Sequence, residues 1–118
     1  MSAYNFKERF VPLIESGQKR STIRAVRLDG RVPKPNEELQ LYTGMRTKAC
    51  RLIGVKRCVG VAKIKIEEDG ITEAKRKLPL LEADYLAERD GFKDQAELIE
   101  WFKAEHGLPF QGNIIVWR

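Results

Sequence analysis

The stretch SGQKRSTIRAVR, Ser16 to Arg27, holds one lysine and three arginines in twelve residues, with Gly17 ahead of them and the β-branched pair Thr22-Ile23 between them. Gly17 marks a turn, and "RSTIRAV" reads as a strand. The two-residue period puts Ser21, Ile23 and Ala25 on one face and Thr22, Arg24 and Val26 on the other. Upstream, Phe6, Phe10, Leu13 and Ile14 recur at spacings of three and four, one stripe of a short helix. Pro12 fits a first turn, so that helix runs from near Arg9 and stops before Gly17. A basic strand therefore emerges from a helix–turn.

Downstream, "DGRVPKPNE" is punctuated by Gly30, Pro33, Pro35 and Asn36 and reads as a loop. "ELQLYTG" alternates Leu39 and Leu41 with polar neighbours, a half-buried strand ending at Gly44. "CRLIGVKRCVGVAKIKIEE" is rich in Val and Ile and predicts at least two strands, broken or bent near Gly54 and Gly60. In "LPLLEADYLAERDG", Leu81, Tyr85 and Leu86 have helical spacing, with Gly91 as a C-cap. Asp94 and Glu97 form a D-x-x-E start for a further helix through "LIEWF" to Gly107, whose core residues are Leu98, Ile99 and Phe102. The run "GNIIVWR" closes the sheet, with Trp117 packed in it. Short, mostly antiparallel strands with a helix near each end predict an α+β domain whose sheet curls towards a barrel.

The 118 residues suit one domain spanning 1–118, and 42% apolar with 33% charged residues is the composition of a folding chain rather than a disordered one. No apolar run reaches the roughly 20 residues that span a bilayer, and "MSAYNFKERF" lacks a secretory pattern, so a cytoplasmic location without membrane partners is expected. Cys50 and Cys58 are then reduced thiols. The net charge of +5 is uneven: residues 1–77 carry 18 Lys/Arg against 9 Asp/Glu, and residues 78–118 carry 4 against 8. One basic surface facing a polyanion fits this asymmetry, and so does a solvated surface.

Phosphate-binding and Rossmann glycine motifs, H-E-x-x-H and G-x-S-x-G are absent. One histidine and two cysteines eight residues apart argue against a metal, and no cofactor is expected. His106 falls at a helix C-terminus, where it suits the dipole better than catalysis. Lysine chemistry remains. Like charge from Arg20 and Arg24 would lower the Lys19 pKa towards that of a general base, with the Thr22 hydroxyl beside it and a carboxylate from elsewhere as acid. The same residues would also serve as exposed strand-edge cations that discourage aggregation.

Phe6, Phe10, Ile14, Gly17, Lys19, Thr22 and Arg24 together resemble the signature of the ASCH domain, a family of the PUA-like superfamily, through its G-x-K-x-x-T-x-R core. "LYTGMRTKAC" and the C-terminal third look like a subgroup found in phage and prophage genomes. The resemblance implies a small β-barrel flanked by about three helices, with a cleft along the motif that holds RNA or a nucleobase. One branch of the family hydrolyses N4-acetylcytidine with a lysine, a threonine and a glutamate, and another type is associated with RNA cleavage. Lys19 and Thr22 match the first two roles. The acid aligns with Asp90, one methylene shorter than glutamate, with Glu88 close by.

Three functions stay open. As a hydrolase, Lys19 would act as base, Thr22 would position the attacking group, Asp90 or Glu88 would carry the proton, and Arg24 or a backbone N–H of the Gly17 turn would meet the oxyanion. As a binding module for single-stranded RNA or a modified nucleoside, Arg20, Arg24, Arg46, Lys48 and Arg51 would meet phosphates. Tyr42, or another aromatic, would then stack a base. As a protein-interaction module of a phage, "ELIEWF" would present an apolar helix face, and exposure of Trp101 would favour that reading.

Overall fold

In the computed structural model, which describes residues 2–118, the chain runs β1 (Ser2–Phe6), a single 3-10 turn (Glu8–Phe10), α1 (Val11–Ser16), β2 (Ser21–Ala25), β3 (Glu38–Thr43), β4 (Arg51–Glu67), β5 (Gly70–Glu73), β6 (Arg76–Lys77), α2 (Leu80–Arg89), α3 (Gln95–His106) and β7 (Phe110–Trp117). β4 is the spine. Its first half pairs with β3, its second half with β7, and Ile64–Glu67 also pair with β5 on the opposite edge.

At 17 residues β4 is too long to stay straight on a curled sheet, and it bends where its glycines permit. Leu41 faces Gly54 while Tyr42 faces Leu52, so Ile53 is the extra residue. Cys58 faces Trp117 while Gly60 faces Val116, so Val59 is the second. Such bulges increase local twist. The two strands expected here are thus one strand with two bends.

Along the path β1-β3-β4-β7-β2 every pairing is antiparallel except β1 with β3, which is parallel. One side chain bridges the two edge strands, β1 and β2: Arg24 Nη2 donates to the Asn5 carbonyl at 2.7 Å. The sheet is therefore a curled, barrel-like one flanked by three helices, the α+β architecture expected.

The interior is closed by Leu39, Leu41, Ile66, Ile71, Leu98, Ile114 and Trp117, all buried. Each such side chain contributes about 1.5–3 kcal/mol of burial. On α3, Leu98, Ile99 and Phe102 are the buried face, as their spacing indicates. The D-x-x-E start forms as expected: Asp94 accepts from the Glu97 N–H at 2.9 Å, and Glu97 Oε1 accepts from the Lys93 N–H at 2.9 Å.

One expectation is corrected, and the packing of α2 and β2 adds what periodicity left open. Phe6 belongs to a strand rather than to the first helix stripe, because the three residues ahead of α1 make a tight 3-10 turn and Ser2–Phe6 pairs with β3. On α2 the buried residues are Ala83, Leu86 and Ala87, whereas Leu81 and Tyr85 are exposed. Small alanines let the helix lie close to its neighbours, which places the larger residues outward. On β2, Ser21, Thr22 and Ile23 are all buried, since the strand is covered on both faces at its start.

Candidate functional site

α1 ends at Gly17, and the main chain of the next residues is held from both sides: the Lys19 N–H donates to the Leu13 carbonyl at 2.9 Å and the Arg20 N–H to the Arg89 carbonyl at 2.8 Å. Consecutive side chains then diverge. Lys19 turns inward and is 3% exposed, whereas Arg20 points out. Lys19 is no strand-edge cation.

Its ammonium lies at the C-terminal end of α2, donating to the Asp90 carbonyl, with Asp90 Oδ1 at 3.6 Å. A cation there also complements the helix dipole. The Asp90 carboxylate accepts a further hydrogen bond from Ser21 Oγ at 2.7 Å. Gly91 makes the approach possible. Its φ is +98°, and a Cβ there would sit 3.0 Å from Lys19 Cδ and 3.3 Å from Phe10.

Both members of this ion pair are almost wholly removed from water. Burial pushes the Lys19 amine below its ordinary value, and the Arg24 and Arg9 charges push it the same way. Burial likewise raises the Asp90 carboxyl, and the attraction between the two opposes both changes. The direction expected for Lys19 holds, but desolvation is its chief cause, with like charge from Arg24 and Arg9 secondary.

Lys19 and Asp90 help line a cavity of about 290 Å³ between the β1–β2 gap and the helices. Thr22 and Arg24 lie on the β2 side, and Arg24 Nε donates to Thr22 Oγ1 at 3.0 Å. The threonine oxygen is thus an acceptor to the arginine, which leaves its proton to be given elsewhere. The Arg24 guanidinium lies over the Phe6 ring at 4.8 Å and the Tyr4 ring at 5.3 Å.

The walls are aromatic. Phe10, Phe92 and Trp101 form a triangle with ring centroids 5.6–5.8 Å apart, and the Lys19 ammonium sits 4.7 Å from the Phe10 ring. His106 packs against Phe102 and Phe110, at 5.4 and 5.0 Å, and lines the cavity rather than only closing the helix. At the rim Lys7 and Glu105 form an ion pair, with Lys7 over the Trp101 ring at 5.7 Å.

Of the residues singled out from sequence, the fold brings together Lys19, Thr22, Arg24 and Asp90. It does not bring in the others. Glu88 and Arg20 line a separate surface groove with Tyr85 and Arg89. Tyr42 lies on β3 with its hydroxyl directed to Gln40 Oε1 at 3.2 Å. Arg46 and Lys48 are exposed on the turn after β3, and Arg51 pairs with Glu15 at 3.7 Å. Trp101 is half-buried in the cavity wall, so it does not favour the interaction-module reading.

Sequence reasoning missed Ser21, Phe92, Trp101 and His106 as site residues. Phe10, Phe92 and Trp101 come from the turn before α1, from just after α2 and from α3, and no periodicity links them. The one available signal was "DGF", whose glycine and aromatic follow the acid directly.

Among the described residues no helix is long and apolar enough to cross a membrane. No protein-family model matches the chain, and no curated protein matches it in sequence. Among solved structures the chain is similar to the crystal structure of ASCH from Zymomonas mobilis, at 13% identity and a TM-score of 0.60, over 98% of this chain. It spans 65% of that chain's length. At this identity the likeness is one of fold, and the fold it shows is that of an ASCH domain.

Proposed function

We propose that the cavity seats a single nucleobase, carried by an RNA strand or a modified nucleoside. The observation that carries this reading is that aromatic side chains, Phe10, Phe92 and Trp101, and polar ones, Lys19, Asp90, Thr22 and Arg24, line one cavity. A flat heterocycle gains stacking from such rings, and hydrogen bonds at its edge fix its orientation. A volume of about 290 Å³ suits one base and excludes a duplex. The ASCH-like fold and the G-x-K-x-x-T-x-R motif support the same class of ligand.

A second reading, hydrolysis of an amide such as that of N4-acetylcytidine, is favoured by the buried pair. Burial drives Lys19 towards the free amine and Asp90 towards the carboxylic acid, the states a base and an acid need. In that step Lys19 takes a proton from water as the oxygen attacks the amide carbon. Thr22 O–H or Arg24 donates to the oxyanion, and Asp90 gives its proton to the departing amine, leaving acetate and cytidine.

The test is calorimetric titration with cytidine and N4-acetylcytidine, with product analysis alongside. Binding that Lys19→Ala and Trp101→Ala both abolish is the expected result. No binding of either nucleoside or of short RNA overturns the proposal. Binding without acetate release removes only hydrolysis.

A further inference from the structure

A second depression, of about 430 Å³, lies beside the first and has no role in the reading above. It is lined by Ser2, Tyr4, Arg27, Arg31, Lys34 and Glu37, from β1 and from the loop between β2 and β3. The two depressions have no lining residue in common, but β1 runs past both. Tyr4 faces the second and Phe6 the first, two residues apart on one face of β1 and so about 6–7 Å along the strand. The Arg24 guanidinium stands between them, over both rings.

The lining differs in kind from that of the cavity. It offers three cations, the Glu37 carboxylate and one tyrosine ring, where the cavity offers a cage of rings around a neutralised ion pair. Arg27 and Arg31 share one carboxylate, Asp29, at 3.2 and 4.0 Å. Arg57 and Arg118, which both donate to Asn36 at the end of the same loop, extend the positive surface. Glu37 is occupied by Ser2 Oγ at 2.6 Å and the Lys34 N–H at 3.1 Å.

We infer that this basic groove holds the phosphate next to the base seated in the cavity, so that the ligand is a nucleotide within single-stranded RNA rather than a free nucleoside. The inference rests on the base-binding reading and deepens it. Arg24 is then the positioning residue between base and phosphate, and Arg27, Arg31 and Lys34 supply the charge that the phosphodiester needs. The spacing of Tyr4 and Phe6 matches the reach of one nucleotide step.

The test compares a labelled oligoribonucleotide of six residues, by fluorescence anisotropy, with cytidine, by calorimetry, on wild type and on the double variant Arg31→Ala/Lys34→Ala. Both residues are exposed and distant from the core, so the fold is retained. The expected result is that wild type binds the oligonucleotide at least tenfold more tightly than cytidine. The variant should lose that advantage and keep its cytidine affinity, with a log–log salt slope shallower by about 0.7 for each phosphate contact removed. An unchanged oligonucleotide affinity in the variant overturns the inference, as does equal affinity of wild type for the two ligands, and both outcomes leave base binding standing. Loss of cytidine binding in the double variant also overturns it, because the groove would then not be a separate seat. Wild type that binds neither ligand overturns the base-binding reading itself.

Discussion

Two eight-residue segments of this chain are near twins in composition. "GQKRSTIR" (17–24) and "GMRTKACR" (44–51) each begin with glycine, carry three cations and include a threonine. The fold treats them oppositely. In the first, Lys19 is 3% exposed against Asp90, and Arg24 is held by Thr22, Asn5 and two rings. In the second, Arg46, Lys48 and Arg51 are all exposed, and the turn is held by local bonds such as Thr47 Oγ1 to the Gly44 carbonyl at 2.6 Å. The first segment enters a strand that pairs with β7 and passes under the end of α2, whereas the second only links β3 to β4. A basic motif becomes a buried cluster when tertiary neighbours dehydrate it.

The sharpest way to break this contrast is to remove one half of the buried pair. Lys19→Met leaves Asp90 buried without its cation and is expected to cost about 3–5 kcal/mol in denaturant unfolding. Lys19→Met combined with Asp90→Asn should recover most of that loss, because the remaining groups are neutral. If the double variant is as unstable as the sum of the singles, the two residues do not act as a pair.

The same pair predicts a pH signature. The folded Lys19 pKa lies below 10.5, so the unfolded chain holds that proton more tightly, and stability rises with pH from the folded value up to 10.5. The folded Asp90 pKa lies above 3.8, so the folded chain holds that proton more tightly, and stability falls as pH climbs from 3.8 through the folded value. Urea midpoints measured across pH should show both limbs in wild type and neither in the Lys19→Met/Asp90→Asn variant.

Gly91→Ala tests the space that lets the lysine in. A side chain at φ +98° is strained, and the Cβ would press on Lys19 Cδ at 3.0 Å. A loss of about 1–3 kcal/mol is expected, together with weaker nucleoside binding. The corresponding probe of the exposed segment is Arg46→Ala/Lys48→Ala. Stability should change by less than about 0.5 kcal/mol, and nucleoside binding should not change at all. A melt shifted by more than a few degrees would show that the turn is more deeply engaged than its exposure indicates.

The α3 start signal, the loop before β3, the two bends of β4 and the burial of Leu98, Ile99 and Phe102 are all legible along the chain, because caps, punctuation and periodicity are local properties. Phe6 was misplaced because its spacing to Phe10 fits a helix, and only pairing with β3 makes it a strand. The spacing of Leu81, Tyr85 and Leu86 does mark a helix, but which residues face inward is settled by packing, where Ala83 and Ala87 take the close contact.

For the site, the sequence supplied Lys19, Thr22, Arg24 and Asp90 through the spacing of a motif and one aligned acid. It could not supply the ring cage, because Phe10, Phe92 and Trp101 meet only when α2 and α3 pack across the gap between the sheet edges. Nor could it separate Arg20 from Lys19, neighbours in the chain that emerge on opposite sides of it. Residue order fixes local geometry and which chemical groups exist; burial depends on contacts between distant segments, and burial is what turned one lysine out of twenty-two cations towards its neutral form.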